Sequence, residues 1–242
     1  MDNTSVDILA FGVHPDDVEL SCSGTLLRHI DLGYTVGLCD LTEGELGTRG
    51  NNVIRLREAE NARIKMGAAF RENLGMKDGF FTVDEEHLLQ VIRIIRKYQP
   101  RLILANAVSD RHPDHGRAAE LVAQASFYAG LVKIATYDDH GEKQLPWRPK
   151  ALYHYIQDRN FPADFVVDIS GYMDKKMELI LTFSSQFYDP DSSEPETPIS
   201  SASFLDFIKA KNKSYGRDAG FEYAEAFNVR RNIGVDDLFH LY

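Results

Sequence analysis

Two short clusters hold the side chains best suited to chemistry. The first is Gly12-Val13-His14-Pro15-Asp16-Asp17-Val18-Glu19, and the second, about a hundred residues later, is Asp110-Arg111-His112-Pro113-Asp114-His115. An imidazole three residues before a carboxylate, as in His14 and Asp17, can hold a zinc-class cation, and the carboxylate between them, Asp16, is then free to work on water at that centre. The same stretch also suits a helix start with no ion. Pro15 near the first helical position and Asp16, Asp17 and Glu19 in the first turn complement a positive helix end. Recurrence of His-Pro-Asp in the second cluster favours the metal centre, since His112 and His115, spaced i and i+3, can point to one side. A third stretch, Thr42-Glu43-Gly44-Glu45-Leu46-Gly47-Thr48-Arg49-Gly50, has three glycines and no regular period, and reads as a loop. It lacks the Gly-Lys-Ser/Thr ending of a phosphate-binding P-loop.

The elements that must position these clusters follow from the apolar pattern. Residues 6–13 form a run short enough for a buried parallel strand, residues 18–32 a helix with Leu20, Leu26, Leu27 and Ile30 on one side and Gly33 as its stop, and residues 34–41 a second strand. Strand, helix, strand predicts a right-handed βαβ unit, whose ligands gather beyond the carboxyl ends of the strands, where His14 to Asp17 lie. Residues 53–66 read as a charge-laced helix ended by Gly67, with Arg55 at its start beside the glycine loop. Residues 84–98 read as an amphipathic helix broken by Pro100, and 102–105 as a strand that delivers the second cluster to the same edge. His115 opens a helix to about Ala129. Further on, 151–157 and 165–169 read as strands and 171–183 as a helix. The polar 188–201 stretch reads as a loop or lid, more readily a mobile linker than a part of the substrate site, and 203–213 and 221–227 as short helices packed on the sheet edge or on a neighbouring subunit. The expected fold class is α/β: a Rossmann-like three-layer α/β/α arrangement with a mostly parallel sheet and the active site at its carboxyl edge. It is expected as one domain over 1–242, with a loop and helical extension from about residue 185.

Composition narrows the function classes. With 43% hydrophobic and 26% charged residues over 242 positions, the chain can bury a real core and has no disorder signature. A formal net charge of -10 argues against nucleic acid as partner, so anionic ligands must be met by local arginines. The two cysteines, Cys22 and Cys39, are too few for a disulfide framework or a thiolate zinc site and read as small core residues. No apolar run reaches membrane-spanning length, and Met1-Asp2-Asn3-Thr4-Ser5 has neither a basic patch nor an apolar signal core, which makes a cytoplasmic enzyme the default.

Taken together, His14-Pro15-Asp16-Asp17, the Thr42 to Gly47 loop and His112-Pro113-Asp114-His115 resemble the PIG-L/LmbE superfamily of zinc-dependent N-acetylglucosamine deacetylases. The nearest likeness is to the bacillithiol-pathway branch, which acts on N-acetylglucosaminyl malate. Cys39-Asp40-Leu41-Thr42-Glu43, Ser185-Gln186-Phe187 and Tyr223-Ala224-Glu225 extend the likeness, while Ser21 and Ser23 depart from the glycines relatives often carry. The resemblance implies His14, Asp17 and His115 as ligands to one Zn2+ per chain, with Fe2+ another candidate, and Asp16 as general base. It further suggests His112 as an imidazolium stabilising the oxyanion, with Asp114 orienting its other nitrogen. For a malate aglycone, Arg49, Arg55 and Arg111 are the candidate carboxylate partners, Arg55 first, and Glu45 an acceptor for sugar hydroxyls. Relatives often form trimers or hexamers, so a homo-oligomer working on a small-molecule glycoside is expected. Two other classes remain open at this point: a metal-dependent phosphoesterase, separable by a second metal, and a Rossmann-like binding module without catalysis.

Overall fold

The first apolar run becomes β1 (Ile8–Gly12), with all five residues buried, as a central parallel strand covered on both faces requires. The computed structural model describes residues 5–240, so Met1 to Thr4 of the N-terminal stretch discussed above lie outside the described residues. From β1 the chain passes through the first cluster into α1 (Asp17–Asp31) and returns as β2 (Val36–Thr42), parallel to β1. Then come α2 (Asn52–Met66), β3 (Phe70–Met76), α3 (Glu85–Tyr98), β4 (Leu102–Ala105) and α4 (Pro113–Tyr128). The remainder comprises β5 (Ala151–Tyr155), β6 (Phe165–Asp168), α5 (Met173–Ile180), α6 (Ala202–Asp218) and β7 (Ala224–Val229). The sheet order is β3-β2-β1-β4-β5-β7-β6, parallel from β3 through β5, with β7 antiparallel to both its neighbours.

Alternation along β1 builds the three layers. Leu9 and Phe11 face a core shared with Val91 and Ile95 of α3 and Leu121 and Val122 of α4, whereas Ile8 and Ala10 face Cys22 and Leu26 of α1 and Leu179 of α5. Truncating a side chain as enclosed as Phe11 to alanine costs roughly 3–5 kcal/mol. Buried charges brace α1 from two sides. Arg71 of β3 grips Asp40 bidentately (2.7 and 2.9 Å) and Glu19 (2.6 Å). Lys176 of α5 donates to Glu225 (2.6 Å), which accepts from the backbone N–H groups of Gly24 and Thr25. Losing one member of such a pair strands the other, at roughly 3–5 kcal/mol.

Three segments differ from the sequence expectation. Residues 221–227 do not form a helix: 224–229 are β7, inserted between β5 and β6, where Ala224 and Ala226 are buried and Glu225 is neutralised by Lys176. The helix formers Ala and Glu sit in a strand because tertiary pairing outweighs their weak local preference. β3 carries no strong apolar pattern because it is the sheet edge, with most of its residues only partly buried. Of the two readings of the 188–201 stretch, the loop beside the site fits better than the free linker, since Thr197, Pro198 and Ile199 form part of a cavity wall.

Candidate active site

β1 and β4 are neighbours in the sheet, yet the chain leaves them toward opposite sides of the strand order. That topological switch opens a crevice beyond the carboxyl ends of the strands, and the His-Pro-Asp clusters leave β1 and β4 directly into it. The first turn is tight: a Cβ on Gly12 would stand 3.1 Å from the His14 carbonyl oxygen and 3.3 Å from Asp17 Cβ. Asp16, which caps α1, has φ 150 and ψ -18. This is a conformation that costs a non-glycine residue about 1–3 kcal/mol and concentrates at functional sites. Arg55 holds it there, donating Nη2 to Asp16 Oδ2 at 2.7 Å, Nε to the Pro15 carbonyl and Nη1 to the Gly44 carbonyl. Gly44, at φ 67, leaves the space: a Cβ would lie 2.3 Å from Arg55 Nη1.

Asp17 is the hub. Its Oδ2 accepts from the backbone N–H groups of Val13 (3.0 Å) and His14 (2.9 Å) and from Asn106 (3.0 Å), while Oδ1 accepts from Gln157 (3.0 Å) and lies 3.2 Å from His115 Nε2. Burial alone would push its carboxyl upward, but His115, His14 and these donors hold it well below the usual carboxylate range. His14 turns Nδ1 toward Asp17 Oδ2 (3.7 Å) and Nε2 onto Asp78 Oδ1 (3.0 Å). His115 likewise turns Nε2 toward Asp17 and Nδ1 onto Asp110 Oδ2 (2.6 Å). Burial disfavours the charged form of His115, yet Asp17 and Asp110 hold its pKa up to about 10. Without an ion the His115–Asp17 pair is therefore ionic, and a bound cation would replace that proton.

This donor set fits a divalent cation. Two imidazole nitrogens and a carboxylate converge, each imidazole has its outer nitrogen on a carboxylate, and that is the arrangement that orients metal-ligating histidines. Three such ligands leave a coordination position open. Ligating nitrogens of His14, His112 and His115 lie within 4.8 Å of one another, as do atoms of His14, Asp78 and Asp114, while Asp17 faces the two ligand imidazoles through different oxygens, Oδ2 at 3.7 Å from His14 Nδ1 and Oδ1 at 3.2 Å from His115 Nε2. The second group is better read as hydrogen bonding, because Asp78 and Asp114 sit on the outer nitrogen of His14 (3.0 and 3.9 Å) while its inner one faces Asp17. Asp16 lies beside this centre. Burial drives its pKa up, Arg55 opposes and Asp17 adds to the rise, leaving it at about 6, where a carboxylate can take a proton near neutral pH.

The remaining candidates sort by contact. His112 caps α4, its Nδ1 accepting from the Asp114 backbone N–H at 3.3 Å, so the neutral ring carries its proton on Nε2. Burial, with His14 and His115 close by, lowers its pKa, so His112 is a neutral donor rather than the expected imidazolium. The Asp114 carboxylate does not orient it: Oδ2 accepts from Gly79 N (2.8 Å) and Oδ1 from Arg117 (2.8 Å). Glu45 is exposed and outside the cavity wall, its Oε1 accepting from Asp78 N. Arg49 is buried, donating to the Phe187 carbonyl and Ser192, which ties the glycine loop to the 187–192 segment rather than to a ligand. Arg55 does line the cavity, but its donors are directed at Asp16 and two carbonyls. Arg111 lines it too, about half exposed, with Nε on Asp158 (2.9 Å).

Sequence reasoning did not single out Asp78, Asn106, Gln157 or Lys211, and quoted Asp110 without a role. Asp78 follows β3, the strand whose pattern was too polar to find. Asn106 directly follows β4 and Gln157 stands two residues past β5, at the edge where functional groups were expected. The cavity has a volume of about 340 Å³, within the range of small-molecule sites. His14, His112, His115, Asp16 and Asp17 line it, and Leu20, Ile199, Phe204, Phe207 and Ile208 supply apolar wall.

Residues 9–126, which span both clusters, match the family model described as PIG-L: GlcNAc-PI de-N-acetylase. The chain belongs to the PIG-L family. It is accordingly an N-deacetylase enzyme. Diacetylchitobiose deacetylase of Thermococcus kodakarensis is 27% identical over 234 residues, covering 90% of this chain and 80% of that one. 4-Oxalmesaconate hydratase of Pseudomonas putida is 24% identical, covering 77% and 76%. A probable N-acetyl-alpha-D-glucosaminyl L-malate deacetylase 2 of Bacillus anthracis is 26% identical, covering 72% and 78%. Among solved structures, the conserved protein TT1542 of Thermus thermophilus superposes with a TM-score of 0.82 at 33% identity, covering 96% of this chain and 98% of that one. No described helix is long and apolar enough to cross a membrane.

Proposed function

We propose that the protein hydrolyses the N-acetyl group of an N-acetylglucosaminide, with N-acetylglucosaminyl malate as the first substrate to test, releasing acetate and the free amine. The observation that carries this reading is the convergence of His14 Nδ1, Asp17 and His115 Nε2 beside the strained, Arg55-held carboxylate of Asp16. In this reading His14, Asp17 and His115 hold one Zn2+, or another divalent ion such as Fe2+, which would supply Lewis-acid polarisation and bring the pKa of a water to roughly 7. Asp16 takes the proton of the attacking water as its oxygen bonds to the carbonyl carbon, and returns it to the nitrogen as the C–N bond breaks. His112 Nε2–H donates to the carbonyl oxygen as negative charge builds there. Asp78 and Asp110 keep the two ligating imidazoles in their tautomers, and Arg55 keeps Asp16 in position.

Support for a sugar amide comes from the two relatives that are named as deacetylases of glucosaminides. The same reading carries a bacillithiol-type thiol pathway and a homo-oligomer, trimeric or hexameric, which the sequence resemblance implies, together with a cytoplasmic setting. Because one relative is named a hydratase, the test must follow the amide itself. Zinc-loaded protein is incubated with N-acetylglucosaminyl malate, N-acetylglucosamine and diacetylchitobiose, and acetate and primary amine are measured together. Equimolar acetate and amine, fastest from the malate glycoside, is the expected result. No amine from any of the three substrates would overturn the proposal.

A further inference from the structure

Two lysines differ in burial and in partners: Lys176 is fully buried and Lys211 only partly so. Lys176 has its Nζ on the Glu225 carboxylate at 2.6 Å and on the Leu20 carbonyl at 2.8 Å, buried and outside the cavity lining. Lys211, on α6, lines the active-site cavity next to Gln157 and Asp158. Its one acceptor among the described residues is the Ile156 carbonyl oxygen at 3.2 Å, and no carboxylate of the described residues comes within ion-pair distance. An ammonium has three donors, so two remain for something that enters the cavity. Of the three arginine and lysine side chains in the wall, Arg55 is committed to Asp16, which leaves Arg111 and Lys211.

Resting on the deacetylase reading above, we propose that Lys211 is a specificity-determining residue which, with Arg111, binds a carboxylate or similar anion carried by the aglycone of the substrate. The chain's formal net charge of -10 repels an anionic substrate at long range, so local cations must hold it. The partial burial of Lys211 in the cavity wall points the same way. Burial, with Lys176 adding, draws its pKa down to about 8 against the opposing pull of Asp110, Asp158 and Glu225, so the ammonium is under-compensated until an anion arrives.

The test compares N-acetylglucosaminyl malate with methyl N-acetylglucosaminide, which keeps the sugar and amide and lacks the carboxylates. In Lys211→Met, KM for the malate glycoside should rise about tenfold to a hundredfold, the usual weight of a charge-assisted contact. KM for the neutral glycoside and both kcat values should stay near wild type, and Lys211→Arg should recover most of the loss. Calorimetric titration of N-acetylglucosaminyl malate into wild type and Lys211→Met should give the same ratio in Kd on an Asp16→Asn background, where turnover does not interfere. Equal losses on both glycosides, or unchanged affinity for the malate glycoside, would assign Lys211 to the fold and refute the anchor. A wild-type enzyme that deacetylates only the neutral glycoside would refute it too while leaving the deacetylase reading intact. If wild type released no amine from either glycoside, that reading would fall, and the calorimetric ratio would still decide Lys211.

Discussion

Asp78 should govern metal affinity although the expected ligand set does not include it. Its Oδ1 accepts from His14 Nε2 at 3.0 Å and its Oδ2 from Leu46 N at 3.1 Å, and the side chain is only 7% exposed. Asp78→Ala removes the group that fixes the ring orientation and tautomer of His14 and withdraws a negative charge that solvent screens little. Loss of such a partner weakens metal binding by about 10- to 100-fold, equivalent to about 1.4 to 2.8 kcal/mol. The metal-free protein should also lose stability, by about 1–3 kcal/mol, because His14 Nε2–H is left buried without an acceptor; Leu46 is exposed, so water can serve its N–H. Asp78→Asn keeps a carbonyl oxygen for His14 and should lose less than about tenfold in affinity. Competition of apo protein against a chromophoric zinc chelator gives all three constants. Unchanged affinity in Asp78→Ala would refute the claim that His14 binds through Nδ1 with Asp78 behind it, and equal losses in both variants would mean that charge alone matters, not orientation.

Asp16→Asn should retain one metal per chain and lose about 10²- to 10⁴-fold in kcat, because an amide cannot accept the water proton; near-normal turnover with full metal would remove Asp16 as the base. His112→Ala should lower kcat by about 10²- to 10³-fold, the effect of one oxyanion donor, and elemental analysis should find metal unchanged, since parallel loss of metal would make His112 a ligand. His154 supplies a pH effect on stability independent of the metal. It is buried in β5, with its ring nitrogens on the Asn106 carbonyl (2.8 Å) and Arg230 Nε (3.1 Å), and burial draws its pKa from 6.5 to about 4. The folded state binds fewer protons than the unfolded one between those values, so its contribution is complete above pH 6.5 and is lost as pH falls toward 4, by up to about 3 kcal/mol. Urea unfolding from pH 7.5 to 4.5 should show a shallower decline in His154→Gln than in wild type, and parallel curves would contradict the assignment.

Why some parts were legible and others not follows from the residues. The βαβ start was readable because β1 is buried on both faces and Gly33, at φ 87, ends the turn after α1. The ligand candidates stood out because His-Pro-Asp follows two such strands, and that adjacency in sequence survives folding. That β1 and β4 lie side by side, bringing the clusters together, is a matter of strand order that no local pattern records. Asp78 and Gln157 reach the site from loops after β3 and β5, where a single polar residue carries no periodic signal. Arg49 and Arg55 illustrate a further limit: a charged residue in an active-site loop can as well secure the loop as meet the ligand. Only the partners of each guanidinium, carbonyl oxygens and Asp16 in the case of Arg55, distinguish the two roles. β7 was misread because Ala224, Glu225 and Ala226 favour helix locally, while Lys176, some fifty residues earlier, supplies the charge that lets Glu225 lie in a buried strand.

The central claim is that one metal, held by His14, Asp17 and His115, is required for hydrolysis of an N-acetyl group. Chelator-stripped protein is titrated with zinc while acetate and amine release from N-acetylglucosaminyl malate is followed. Activity should be absent at zero zinc, rise linearly and level off at one equivalent per chain in wild type, with no rise in His115→Ala up to that equivalence. Full activity of the stripped protein, or no amine at any zinc ratio, would contradict the account.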